Sequence, residues 1–212
     1  MNTDAFRFIR KHYAPARICL VGLSDPLYEL IRIGQAQITP DHARSKWNHA
    51  FLLGEQRGWF WRRRTYIFES DFYFNFRKMQ FMNGPQESLL EKWCKDSIEY
   101  ACVLGMSLTS SEEKKVLAKA SEIVHDKRYR YPVEGLFGTL WAMRTGRLHR
   151  PNIFDMRYAI QCATFVRLCY QVIGKDPLAE STDDISNTSP ERLSQSALFT
   201  VRHEWHREVS PL

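Results

Sequence analysis

The sequence predicts an α+β protein in which a small antiparallel sheet packs against one buried helix, with a mostly helical insertion added. Three observations predict this. Short apolar runs bounded by turn residues occupy positions 17–23, 47–53 and 65–69, and they have the length and β-branched or aromatic content of strands. From residue 86 to residue 145 the apolar spacing turns helical. Cys162, Phe165, Val166, Cys169 and Ile173 recur at i, i+3, i+4, i+7 and i+11, which lines up one buried face of a helix.

Arg17-Ile18-Cys19-Leu20-Val21-Gly22-Leu23 forms the first strand, closed by Ser24-Asp25-Pro26, a turn or helix-start signal. Leu27, Leu30, Ile31 and Ile33 mark a brief helix that stops at Gly34, and a loop runs on to Lys46. Trp47-Asn48-His49-Ala50-Phe51-Leu52-Leu53 is the next strand, and Gly54 and Gly58 turn the chain into Trp59-Phe60-Trp61 and Thr65-Tyr66-Ile67-Phe68-Glu69. Pairing these as a hairpin brings His49 close to Glu69, because adjacent strands lie about 5 Å apart. Leu89, Leu90, Trp93, Ile98, Ala101 and Cys102 read as helical. Ser110-Ser111-Glu112-Glu113 then caps a helix with acids in its first turn, and residues 133–143 form another that ends near Gly146. The helix that starts near Cys162 stops at Gly174, residues 181–191 read as loop, and residues 199–209 add a last strand. The expectation is one domain over residues 1–212, with 86–145 as the helical insertion.

The chain is 44% hydrophobic and 25% charged, enough apolar material for a core and too little charge for a disordered chain. Five cysteines without metal-ligand spacing argue against a disulfide framework and a structural zinc. The first residues lack the apolar run of a signal peptide or a membrane span, so synthesis in a cytoplasm without Sec-type export is expected. A net charge of +6 suits an anionic partner. The run Trp59-Phe60-Trp61-Arg62-Arg63-Arg64 interleaves aromatics with arginines as single-strand binders do. Between two strand-like runs it reads better as a solvated hairpin, and no nucleic-acid partner is expected.

A thiol attacks as thiolate, and a helix N-terminus with a histidine nearby favours that form. Cys162 meets the first condition, although a cysteine on an apolar stripe is also an ordinary core residue. His49 lies in an apolar strand, where its ring needs a hydrogen-bond partner whether or not it acts as a base. Glu69, at the polar end of the following strand, is placed either to orient that ring or to face solvent as an edge acid. His203, Glu204, His206 and Glu208 lack the HExxH spacing that puts two histidines on one helical face. No phosphate-cradling, dinucleotide-binding or GxSxG motif occurs, so neither a metal nor an organic cofactor is expected.

Taken together, Ile38-Thr39-Pro40, Ser45-Lys46-Trp47-Asn48-His49-Ala50-Phe51-Leu52, Tyr66-Ile67-Phe68-Glu69 and Tyr158-Ala159-Ile160-Gln161-Cys162-Ala163-Thr164-Phe165-Val166 resemble the circularly permuted papain-like hydrolases. These include YiiX-type proteins and relatives of the NlpC-type cell-wall peptidases and lecithin:retinol acyltransferases. In that family a histidine strand and a strand with a polar residue precede the nucleophile helix, and His49, Glu69 and Cys162 fall in those places. Ser189-Pro190-Glu191-Arg192-Leu193, with Ser196 and Phe199, is similar to an end segment of the YiiX-type group. Two positions depart from the pattern: the Gly-Asp before the first strand is missing at Cys19 to Gly22, and Ala163 stands where serine is common.

The resemblance implies a permuted papain-like fold and a cysteine hydrolase working through an acyl-enzyme. Cys162 would be the nucleophile, His49 the base and Glu69 the residue that holds the imidazole. The Cys162 backbone N–H, helped by Gln161 or Tyr158, would stabilise the oxyanion. The implied substrates are amide bonds of peptidoglycan peptides, within an anionic cell-wall polymer, or acyl esters and thioesters of lipid-like molecules. A delivered antibacterial toxin, acting in a target-cell periplasm and checked by an inhibitor or immunity protein, fits the first. A binding module that has kept the fold and lost turnover is the non-enzymatic alternative.

Overall fold

The computed structural model describes residues 3–59, 63–75, 80–130, 133–151 and 160–208. Its centre is a six-stranded antiparallel sheet. The strands are β1 (Ile18–Leu23), β2 (His49–Arg57), β3 (Arg64–Asn75), β4 (Gln80–Leu89), β5 (Ile98–Gly105) and β6 (Val201–His206), and they lie in the order β4-β3-β2-β1-β5-β6. The helices are α1 (Thr3–Lys11), α2 (Pro26–Gly34), α3 (Ser110–His125), α4 (Val133–Arg144), α5 (Cys162–Gln171) and α6 (Pro190–Gln195).

Every residue of β1 is buried, which is why its sequence is continuously apolar rather than alternating. Alternation still sorts its side chains. Ile18 and Leu20 join Ala50, Leu52, Phe68, Cys102 and Leu104 on one face, packed with Val116 and Ala120 of α3 and with Phe165, Val166 and Cys169 of α5. Cys19 and Val21 join Phe51, Leu53, Ile67, Ala101 and Val103 on the other, covered by Ala5 and Ile9 of α1 and by Leu90 and Trp93. The helix α5 is therefore enclosed nearly all round, with Ala163, Thr164, Arg167 and Tyr170 buried as well as Cys162, Phe165, Val166 and Cys169 of the predicted stripe; Ile173 lies past the helix end and is half-buried. The helix ends at Gln171, three residues before the expected stop, and the chain then turns at Gly174 (φ 69°).

The helical reading of residues 86–105 is corrected. Residues 86–89 finish β4, Leu90–Trp93 is a single 3-10 turn, and 98–105 is the inner strand β5, paired with both β1 and β6. Ile98, Ala101 and Cys102 mimic helical spacing only because Ala101, Cys102, Val103 and Leu104 are all buried. A run apolar on both faces carries no period to read. Helix begins at Ser110, where Thr109 and Glu112 form a reciprocal capping box. A helix also occupies 190–195 where loop was expected. Ser189 accepts from the Arg192 N–H, and Pro190 sits in the first turn.

That short helix latches the end of the chain to the centre. Ser45 Oγ donates to Glu191 Oε2 at 2.6 Å, and the Glu191 N–H donates to Gln35 Oε1 at 3.0 Å. Gln35 in turn donates to the Trp47 carbonyl at 2.7 Å.

Gly22 marks a close approach: a Cβ there would lie 1.9 Å from the Lys46 carbonyl oxygen. The substitution Gly22→Ala is expected to destabilise the fold by about 3 kcal/mol, read as a lower urea midpoint.

Candidate active site

His49 opens β2 and is held there by its neighbour. Asn48 accepts from the Leu23 N–H at 3.1 Å and donates to the carbonyls of Leu23 at 2.8 Å and Tyr28 at 3.1 Å. Cys162 opens α5, positioned by bonds before and behind it. Ser70 Oγ of β3 donates to the Ile160 carbonyl at 2.5 Å, and Gln161 Nε2 donates to Thr139 Oγ1 of α4 at 2.8 Å. Further along α5, Arg167 pairs with Asp176 at 2.8 Å and donates to the Asp183 carbonyl and Thr188 Oγ1.

The structure brings His49, Glu69 and Cys162 together. His49 Nε2 lies 3.2 Å from Glu69 Oε2, and Cys162 is near enough to the same ring to be the neighbour that most raises its pKa. With Nε2 facing the carboxylate, Nδ1 is the nitrogen left for sulfur. In the hairpin, Leu52 faces Phe68 and Leu53 faces Ile67, so His49 and Glu69 are diagonal neighbours on one face.

The ring is 1% exposed, and burial by itself would push its pKa down. That loss is outweighed by Cys162, through its charge and its hydrogen bond, and then by Glu69 and Asp71. The result is a pKa pushed up to about 10. An imidazolium donates from both nitrogens, and the Glu69 carboxylate accepts on the Nε2 side.

Glu69 has no exposure at all. Burial opposes its ionisation, yet Lys92 and the His49 hydrogen bond hold its pKa below the usual carboxylate value. Lys92 Nζ lies 2.7 Å from both Glu69 Oε1 and Asp71 Oδ2. Trp93 Nε1 donates to Glu69 Oε2 at 3.2 Å, and Tyr28 OH donates to Asp71 at 3.2 Å. Trp93 also stacks on His49, with ring centroids 4.8 Å apart, and on Phe51 at 5.4 Å. Sequence reading missed Asp71, Lys92 and Trp93. The available signal was Glu69-Ser70-Asp71, two acids on one face of an apolar strand, which demand a buried cation.

His49, Glu69 and Asp71 place ligand atoms within 4.8 Å of one another, as a cation site would. The Lys92 ammonium already supplies positive charge between the two carboxylates. His203 and His206 are odd and even residues of β6 and point to opposite faces, and His203 stacks on His12 at 3.9 Å.

The first internal bond of α5 runs from the Phe165 N–H to the Gln161 carbonyl at 2.8 Å. Gln161 makes no side-chain cap, so the N–H groups of Cys162, Ala163 and Thr164 have no partner within the helix. They put partial positive charge beside the sulfur and offer donors to an oxyanion. The Gln161 amide is engaged by Thr139 and lies beside Cys162. Tyr158, and residues 60–62 of the aromatic and arginine run, lie outside the described residues. A crevice of about 10 Å³ adjoins Cys162, lined by Ile31, Leu140, Met143, Thr139, Gln161 and Pro190 among others. It has room for roughly one water.

Neither a family model nor a curated protein matches the chain.

Two outcomes are expected. Replacing Cys162 with Ala removes the largest contributions that raise His49 and leaves only those of Glu69 and Asp71 against the opposing effect of burial. The His49 ring, charged up to about pH 10 in the native chain, should then titrate at lower pH when followed by nitrogen NMR. Lys92→Met strands two buried carboxylates and should cost about 3 kcal/mol in urea unfolding.

Proposed function

We propose that this chain is a cysteine hydrolase of the permuted papain-like type, with Cys162 as nucleophile, His49 as base and Glu69 as orienting acid. One observation carries the reading: a buried imidazole bonded to a carboxylate through Nε2 lies next to a thiol at a helix N-terminus. The chain order, histidine and acid ahead of the cysteine, and the antiparallel sheet backed by α5 are what a permuted papain-like fold requires.

In the reaction, His49 holds the proton that leaves Sγ, and the thiolate attacks the substrate carbonyl carbon. The tetrahedral oxyanion accepts from the Cys162 N–H, a donor whose loss costs about 3 kcal/mol in comparable sites. The imidazolium then protonates the leaving amine or alcohol, and a thioester remains on Cys162. Water, deprotonated by His49, attacks that thioester and restores the thiol. Glu69 stays ionised and keeps the ring in the tautomer and orientation that the two transfers need.

The substrate we propose first is an amide of peptidoglycan stem peptide, since a net charge of +6 favours an anionic polymer. Delivery as an antibacterial toxin, and an immunity protein as its inhibitor, belong to that reading. A second reading, an acyl ester or thioester, is favoured by the apolar side chains of Ile31, Leu140 and Met143 around the crevice.

Alkylation separates an activated thiol from an accessible one. Cys162 is 5% exposed, whereas Cys94 is half-buried. Burial pushes the thiols of Cys19 and Cys169 up, and that of Cys102 up to about 12. Brief iodoacetamide treatment at neutral pH is expected to label Cys162 ahead of Cys94, and His49→Ala should reverse that order. Purified sacculi should yield new amines, with Cys162→Ala and His49→Ala each at least about a hundredfold slower. Equal, slow labelling of Cys94 and Cys162 would leave a binding module. Fatty-acid release from phospholipid without new amines would select the ester.

A further inference from the structure

The helix α4 carries nine consecutive uncharged residues, 135–143, between Glu134 and Arg144. A helix apolar on all sides is normally enclosed, yet Phe137 is 64% and Trp141 54% exposed. Its inner face does not account for these two: Thr139, Ala142 and Met143 are buried, and Leu140 reaches into the space that a Cβ on Gly34 of α2 would fill. Where the two helices meet, α2 behaves in the same way. Leu30 is 63% and Ile33 55% exposed, while the adjacent Ile31 and Arg32 are buried.

Positive charge follows directly. Arg144, Arg147 and Arg150 are exposed and make no ion pair among the described residues. Asp184, whose N–H bonds the Leu148 carbonyl, turns its carboxylate to Ser186 instead. Exposed aromatic and aliphatic side chains beside exposed arginines are the two components of an interfacial membrane site. At 12 residues α4 is about 18 Å long, too short to span a bilayer, and no helix among the described residues is long and apolar enough to cross one. The helix can lie on a membrane and cannot traverse it.

We propose that the exposed faces of α2 and α4 dock on an anionic phospholipid surface. Phe137, Trp141, Leu30 and Ile33 enter the boundary between headgroups and acyl chains, and Arg144, Arg147 and Arg150 pair with lipid phosphates. Leu140 and Met143 of the same helix line the crevice at Cys162, so docking sets that crevice at the membrane surface. Binding goes beyond the chemistry at Cys162 and does not depend on it.

Flotation with phosphatidylcholine vesicles, with and without phosphatidylglycerol, tests this directly. The intact chain should float with the anionic vesicles at low salt and be released by high salt. Each arginine changed to Gln should weaken binding about fivefold, and Phe137→Ser with Trp141→Ser by at least about tenfold. The aromatic double variant should keep its native circular dichroism and the alkylation of Cys162, and Cys162→Ala should float like the native chain. Loss of labelling preference at Cys162 with flotation intact would sink the hydrolase reading alone. The docking proposal is overturned if the chain ignores anionic vesicles, or if the aromatic changes leave flotation untouched. It is also overturned if those changes instead abolish a dimer seen in sedimentation, or binding to sacculi.

Discussion

Glu69 is a carboxylate with no solvent contact, and such a charge persists in a fold only when its partners are fixed around it. Its two oxygens take Lys92 on one side and Trp93 and His49 on the other. Each partner then commits another element. Lys92 brings in Asp71, to which Tyr28 of α2 donates its hydroxyl. Trp93 stacks against both His49 and Phe51 of β2. One buried anion thus ties together α2, β2, β3 and the turn that follows β4. A mispositioned partner would leave an uncompensated charge, so the orientation of the His49 ring follows from the same requirement.

Cys162 arrives from a separate set of constraints. The helix α5 packs on the sheet face opposite to the one that carries Phe51 and Trp93, yet Cys162 meets His49. Both are the first residues of their elements, and they join where strand and helix begin. Ser70 ties β3 to the residue two positions before Cys162, and Tyr170 donates its hydroxyl to the Ala16 carbonyl near the far end of α5. The helix is fixed along its length, and its open N-terminus is aimed at the histidine. The junction has the helix amides on one side and Glu69 on the other.

Much of this was legible in the chain. The runs 17–23, 47–53 and 65–69 are strands because β-branched and aromatic residues between glycine and proline signals have few alternatives. The hairpin connecting them made the approach of His49 to Glu69 predictable. The helix at Cys162 also followed from its period. Residues 86–105 were misread for the opposite reason: β5 is buried on both faces, and a continuous apolar run is silent about strand or helix. Asp71 and Lys92 escaped because a strand and a 3-10 turn twenty residues further on meet only through pairing of β3 with β4, which no local pattern encodes.

The sequence by itself determined which side chains are available and which local structure carries them: a histidine opening a strand, a cysteine opening a helix, an acid on the next strand. Side-chain periodicity and turn chemistry act over a few residues, and that range suffices for such assignments. Only the tertiary structure decided that α5 ends its approach at His49, that Lys92 neutralises Glu69 and Asp71 together, and that α4 leaves an apolar face uncovered. Those outcomes depend on which surfaces remain after the sheet closes and on where buried charge finds its counter-charge, and both are properties of contacts between residues far apart in the chain.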